Sequence, residues 1–244
     1  MTKSLSGKTA LITGASRGIG ASLAKLLAKE GAHVILIART VGGLEAVDDE
    51  IRKEGGKATL MPLDLSNLSE LDALGPTLHQ HFPMLDIFIG NAAMLGTLAP
   101  LGHVKPDEFE KVMNLNLMAN YRLIRTLDPM LKASDAGRAV FVTSGVAGAP
   151  RAYWGEYTVS KAALEALAKT YAAECANTNM KVNIFDPGRV RTAMRAQAYP
   201  GEDPQTRPHP DEIAPYILDL LRDDCRMNGE IIAAPSTPLQ ASAA

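Results

Sequence analysis

Thr9-Ala10-Leu11-Ile12-Thr13-Gly14-Ala15-Ser16-Arg17-Gly18-Ile19-Gly20 passes from an apolar run into a glycine-punctuated turn, and residues 21–29 continue it as an Ala/Leu-rich helical pattern. A strand, a glycine turn and a helix N-terminus in that order form an anion cradle. The first backbone N–H groups of the helix have no partner within it and point at whatever lies in the turn. Glycine suits such a turn because it lacks a Cβ and tolerates unusual dihedrals. The spacing is G-x-x-x-G-x-G rather than the commoner G-x-G-x-x-G. A glycine turn alone can be punctuation. Placed between a strand and a helix, this one reads as the pyrophosphate site of a dinucleotide, with Gly14, Ser16, Arg17, Gly18, Ile19 and Gly20 in contact.

Outward from that turn, short apolar runs alternate with longer helical patterns, the signature of βαβ units. The expected strands are 9–13, 33–38, 58–63, 86–89, 139–143, 181–185 and a brief 230–233, with helices at 18–29, 43–54, 68–81, 107–132, 155–177 and 211–222. Near-continuous apolar strands belong to a parallel sheet covered on both faces. The expected fold is α/β, a single Rossmann-type doubly wound sheet of about seven strands, with residues 1–244 forming one dinucleotide-binding domain. Helices 107–132 and 155–177 are apolar beyond one stripe, and such helices bury a second face. A deep core is one use for it; a homodimer or homotetramer interface is the favoured one.

The 244 residues are 46% hydrophobic and 21% charged with a formal net charge of −2, an ordinary globular composition with no electrostatic case for nucleic acid or an anionic membrane. Residues 1–8 contain no apolar segment of the kind that targets secretion, and no run is long enough to span a bilayer. Cys175 and Cys225 have no metal or redox spacing and suit a reducing, cytoplasmic setting. No metal site is expected.

The choice of cofactor turns on the end of the second strand. An NAD site usually places Asp or Glu there for the ribose 2′-hydroxyl; here Ala38 is followed by Arg39. A carboxylate would repel a 2′-phosphate, whereas a guanidinium binds it bidentately. With Arg17 as a second cation, NADP is preferred and NAD comes second, although two solvated surface arginines are the simpler alternative.

Tyr157 and Lys161 lie four residues apart on the helix 155–177, with Ser144 at the end of the fifth strand. Residues i and i+4 share a helix face, so an ammonium can stand beside a phenol. The expectation is that this charge lowers the phenol pKa, letting tyrosine act as acid or base near neutrality.

With the glycine turn, Ser144, Tyr157 and Lys161 in this order, the chain resembles the classical short-chain dehydrogenase/reductase family from about residue 6 to about residue 195. Asn91-Ala92-Ala93 resembles the family's Asn-Ala-Gly element, Asp64 with Leu65 falls where the family contacts adenine, and Asn116 matches its helix asparagine. Pro187-Gly188-Arg189-Val190-Arg191-Thr192 resembles the segment holding the nicotinamide carboxamide, which adds Pro187, Gly188, Val190 and Thr192 to the cofactor set. Gly90 and Ala93 depart from the usual residues, and 229–235 lacks the usual closing Asp-Gly-Gly. The resemblance implies hydride transfer between NADP(H) and a carbonyl or secondary alcohol, with a small-molecule substrate. Tyr157 would be the acid, Ser144 would bond the substrate oxygen, and Lys161 would bind the nicotinamide ribose and lower the Tyr157 pKa. Asn116, with Asn114 as alternative, would hold a water on a proton relay.

Substrate choice is expected in 94–103, 145–156 and 193–210. The last, with Pro200, Pro204, Pro208 and Pro210, is read as a loop and a lid. Met94, Tyr153, Trp154, Met194 and Tyr199 are candidate pocket residues, although ordinary packing accounts for each as well. Arg151 and Arg195 are candidates for meeting an anionic substrate, surface placement being the simpler account. The resemblance permits ketones, aldehydes, 3-oxoacyl thioesters, sugars or steroids. Two other readings stand: a dehydratase or epimerase with tightly bound cofactor, and a non-catalytic NADP-binding regulator.

Overall fold

In the computed structural model, which describes residues 3–235, seven parallel strands form one sheet in the order β3-β2-β1-β4-β5-β6-β7. They are β1 (Thr9–Thr13), β2 (His33–Ala38), β3 (Lys57–Pro62), β4 (Ile87–Gly90), β5 (Arg138–Val142), β6 (Lys181–Asp186) and β7 (Ile231–Ala233). The expected doubly wound sheet is present, its strand limits shifted by at most one residue. The chain leaves β1 toward β2 and β3, then returns to place β4 on the other flank of β1. At that reversal the connections diverge and leave a crevice beyond the strand ends, where doubly wound sheets bind ligands.

Both faces of the strands are apolar and alternate with period two. On one face Ala10, Ile12, Val34 and Leu36 pack under helices α1 (Gly18–Lys29) and α2 (Val41–Lys53). On the other, Leu11, Ile35, Ile37, Phe88 and Phe141 meet the remaining large helices. This double burial explains why the strands read as continuous hydrophobic runs rather than half-polar ones.

Three expected helices are broken into shorter pieces in the structure, while 43–54 and 155–177 are observed as Val41–Lys53 and Gly155–Glu174. Residues 68–81 form two short pieces, α3 (Leu68–Leu71) and α4 (Leu74–His79). Residues 107–132 divide into α5 (Pro106–Met113), a π-helical stretch Asn114–Met118, and α6 (Ala119–Lys132). The π turn adds a residue per turn, a change that apolar periodicity does not register, and such insertions gather at functional sites. Helix α7 (Gly155–Glu174) is continuous. The stretch expected as loop, 193–210, contains a short helix α8 (Ala193–Ala198) and a 3₁₀ turn at Pro204–Thr206, and two of its four prolines, Pro204 and Pro210, open a helical piece. Residues 210–221 form α9 (Pro210–Ile213), a 3₁₀ segment Ala214–Ile217 and α10 (Leu218–Leu221). Residues 1–2 and 236–244 of the expected domain lie outside the described residues.

Candidate active site

The crevice beyond β1 and β4 opens into a cleft of about 640 Å³ that runs from the glycine turn to Tyr157. At its floor, Gly14 has φ 65°, and a Cβ there would lie 2.9 Å from Asn91 Nδ2 and 3.0 Å from the Ala92 Cα. A Cβ on Gly20 would collide with the Gly14 carbonyl oxygen. Any side chain at these positions would push the turn out of shape. The turn is also held from below, because Asn91 Nδ2 donates to the Thr13 carbonyl at 2.8 Å and Thr13 Oγ1 accepts the N–H groups of Asn91 and Ala92 at 2.9 and 3.0 Å. Asn91 therefore ties the end of β4 to the end of β1 and supports the cradle. Arg17 precedes α1 without a side-chain cap, leaving the first N–H groups of that helix facing the cleft. This cradle fits a pyrophosphate.

Ser16, Arg17, Gly18, Ile19, Arg39, Asp64, Leu65, Ala92, Pro187, Gly188, Val190 and Thr192 all border the same cleft. Arg39 is strongly exposed and stands 3.8 Å from Asp64. Burial pushes against the charge on Asp64, but the hydroxyl and N–H of Ser66, with Arg39, hold its carboxyl below the usual range. Ser66 Oγ donates to Asp64 Oδ1 at 2.7 Å, which fixes the carboxylate at the start of its own turn.

At the far end, Ser144 follows β5, while Tyr157 and Lys161 occupy successive turns of α7. Tyr157 and Lys161 are buried. Lys161 Nζ donates to the Val142 carbonyl at 2.7 Å and lies 5.9 Å from the Tyr157 ring centroid. The expected acidification of the phenol is not what these surroundings produce. Burial pushes Tyr157 up to about 12; the Ser144 hydroxyl pulls it down, and the charge of Asp186 pushes it up again. Burial likewise lowers Lys161 to about 8, against the opposing pull of Glu165 and Asp186. Desolvation dominates both groups because each leaves water for an apolar surround.

Asn116, in the π-helical stretch, is fully buried. Its Nδ2 donates to the Met94 carbonyl at 2.9 Å and to Ser160 Oγ at 3.0 Å, and its Oδ1 accepts the Met94 N–H at 2.8 Å. Ser160 Oγ in turn donates to the Tyr157 carbonyl at 2.8 Å. The side chain joins the loop after β4 to the turn of α7 that carries Tyr157, with both hydrogens of its Nδ2 engaged. Its own carbonyl oxygen accepts from Asn120 Nδ2 at 2.8 Å. Asn114, the alternative, begins the same stretch.

Two acids near this centre escaped the sequence reading. Asp186, the last residue of β6, borders the cleft and acts on both Tyr157 and Lys161. Glu165, one helical turn beyond Lys161, accepts from Thr143 Oγ1 at 2.7 Å. The i, i+4 spacing of Lys161 and Glu165 was a usable signal; Asp186 offered none, since only the sheet brings it to α7.

The sequence matches the short chain dehydrogenase family over residues 8–203. The chain belongs to the classical short-chain dehydrogenase/reductase family. It is 37% identical over 225 residues to the oxidoreductase YciK of Escherichia coli (strain K12), covering 91% of this chain and 89% of that protein. A short-chain dehydrogenase of Shigella flexneri, solved in complex with NADP, superposes with a TM-score of 0.92 at 36% identity and covers 96% of this chain and 99% of its own. One from Escherichia coli, complexed with NADPH, gives 0.91 at 36% identity, covering 96% and 98%. The chain is thus an oxidoreductase of the short-chain dehydrogenase/reductase type. Among the described residues, no helix is long and apolar enough to cross a membrane.

Proposed function

We propose that this short-chain dehydrogenase/reductase is an NADP(H)-dependent reductase of an apolar carbonyl compound, or, in reverse, a secondary-alcohol dehydrogenase. The reading rests chiefly on one arrangement: a buried Tyr157, with Ser144 on the same cleft, at the end away from a glycine cradle. The dinucleotide, when bound, supplies or accepts the hydride. Tyr157 gives its proton to the carbonyl oxygen, and Ser144 donates a hydrogen bond to the same oxygen, so that developing charge meets donors already in place. Lys161 would supply positive charge near Tyr157 and hold the ribose hydroxyls of a bound dinucleotide. Asn116 contributes by holding the catalytic turn through Ser160. Gly14 to Gly20 cradle the pyrophosphate; Asp64, Leu65, Asn91 and Ala92 border the adenosine side, and Pro187 to Thr192 the carboxamide.

Preference for NADP is supported by Arg17 and Arg39 at the cleft mouth, by the lack of a carboxylate at the end of β2, and by the NADP and NADPH complexes of the two structural relatives. The substrate end is lined by Leu95, Val146, Trp154, Met194 and Ala198, with Arg151 at the rim. An apolar wall with a cation at its edge suits an acyl chain on a phosphorylated carrier, so 3-oxoacyl thioesters are the first substrates to test. Residues 193–210 act as the lid, and the chain works as one catalytic unit in a reducing cytoplasm, consistent with free, buried Cys175 and Cys225. Assembly as a homodimer or homotetramer uses the outer side of α7, where Val159, Ala162, Ala166 and Ala173 are exposed, together with that of α6, where Tyr121 is exposed.

The deciding experiment follows loss of reduced-nicotinamide absorbance with NADPH, then NADH, against a panel of 3-oxoacyl thioesters, ketones and aldehydes. Turnover with NADPH and an apolar carbonyl supports the reading. Tight NADPH binding with no turnover on any carbonyl would favour the non-catalytic alternative.

A further inference from the structure

Glu156 immediately precedes Tyr157, is only 1% exposed, and has no part in the chemistry proposed above. Its two oxygens have different surroundings. Oε1 accepts the backbone N–H of Thr97, while Oε2 is buried with no hydrogen-bond partner. The loop carrying Thr97 lies along the entry to α7: Ala99 N–H donates to the Tyr153 carbonyl at 3.1 Å, and Ala99 pairs with Trp154 as an isolated bridge. Leu95 and Leu98 of this loop pack in one cluster with Val146, Trp154 and Tyr157, which is the apolar wall of the substrate end. Gly96 matches the acid closely. It has φ 74°, and a Cβ on it would run into Glu156 Oε1.

We propose that Glu156 is a positioning residue: by holding the Thr97 N–H it sets the 95–99 loop, and so the substrate wall, against Tyr157. This rests on the reductase reading for its functional consequence, though not for its structural one. A buried carboxylate oxygen without a donor weakens a fold, and only part of that is offset by the favourable place of an acid in the first turn of α7. An apolar side chain would remove the unpaired oxygen but also the acceptor of the Thr97 N–H, so what the acid adds at this place is that one bond to the loop. Tyr153, the sole non-glycine residue with positive φ (71°) among those described, sits where the loop meets this entry, and backbone strain of that kind persists where the surroundings over-determine it.

The test compares Glu156→Ala, Glu156→Gln and wild type by amide hydrogen exchange, NADPH affinity and steady-state kinetics. In Glu156→Ala, exchange at 95–99 should rise roughly tenfold or more while 14–20 stays unchanged. KM for the carbonyl should rise by about fivefold or more with kcat within about twofold, and the NADPH Kd should not move. Glu156→Gln keeps an acceptor for Thr97 and should resemble wild type. A cycle with Gly96→Ala adds an independent readout. The φ penalty is common to both backgrounds, so relief of the collision with Oε1 should appear as less destabilisation by Gly96→Ala in Glu156→Ala than in wild type.

Unchanged exchange at 95–99 in Glu156→Ala, additive free energies in the cycle, or an equal loss of NADPH affinity would overturn the proposal. If Glu156→Ala does not fold, Glu156→Gln decides: wild-type protection at 95–99 supports the clamp, and lost protection removes it. Absence of turnover in wild type would sink the reductase reading alone, since exchange and the cycle judge the clamp without substrate.

Discussion

Lys161 stands over the ring of Tyr157, its ammonium 5.9 Å from the ring centroid, and donates a hydrogen bond to the Val142 carbonyl at 2.7 Å. In that position its charge does not overcome the burial of the phenol, which stays up at about 12. A phenol that holds its proton at neutral pH is in the form from which carbonyl reduction would draw that proton.

Removing that proton tests the proposed acid directly. Tyr157→Phe keeps the ring in the apolar cluster and should leave NADPH affinity unchanged, while turnover of a good carbonyl substrate falls by about 10²–10⁴-fold, the usual worth of a general acid. Fluorescence titration of NADPH with steady-state kinetics checks both halves. A variant retaining most of its turnover would show that the proton comes from elsewhere.

The pH profile follows from the same pair. Lys161, lowered to about 8 by burial, carries its charge below that pH and loses it above. Reduction, measured as kcat/KM, should hold steady from neutrality and decline as pH rises through about 8, while Tyr157 remains protonated throughout. Oxidation of the corresponding alcohol needs phenolate and should instead climb with pH. A reduction rate that rises across this window contradicts the assignment.

Stability should move against activity at Lys161. The folded group titrates near 8 and the unfolded one near 10.5, so between those values the unfolded chain binds more protons and wild-type stability rises with pH. Below 8 the full penalty of burying the charge is present, on the order of 3 kcal/mol. Lys161→Met removes it and loses the bond to Val142, for a net gain of about 1–2 kcal/mol at pH 7. Urea denaturation at pH 7 and pH 10 reads this out: the variant should be the more stable at pH 7, by a margin that shrinks at pH 10, and it should be nearly inactive. Equal margins at the two pH values would refute the linkage.

Cofactor preference should follow Arg39. Its guanidinium is exposed and only loosely paired with Asp64, leaving it free to meet a 2′-phosphate. In Arg39→Asp, kcat/KM with NADPH should fall by about 10-fold or more, as expected when a charged hydrogen bond of ~1.5–3 kcal/mol is lost, and kcat/KM with NADH should rise. An unchanged ratio would transfer the role to Arg17.

How much of this was legible beforehand differs from element to element. The strands at 9–13 and 33–38 and the helix at 18–29 were readable to the residue, because apolar runs bounded by glycine are local signals. Ser144, Tyr157 and Lys161 were readable as a spaced pattern, and the structure brings them to one end of one cleft. The π turn at 114–118 was not, since Asn116 reaches Met94 and Ser160 across the fold and only those bonds distinguish its turn from ordinary helix. Residues 193–198 were read as loop because prolines crowd the segment beyond them, yet Thr192 caps a short helix by accepting the Arg195 N–H at 3.2 Å.

Local chemistry written along the chain, namely apolar alternation, glycine placement and residues one helical turn apart, was enough to specify a doubly wound sheet and a glycine cradle at its switch point. Electrostatic outcomes were not. Whether Lys161 or desolvation governs Tyr157, and whether Glu156 meets water or Thr97, depends on distances and solvent exclusion between segments remote in sequence. Periodicity carries no record of those quantities.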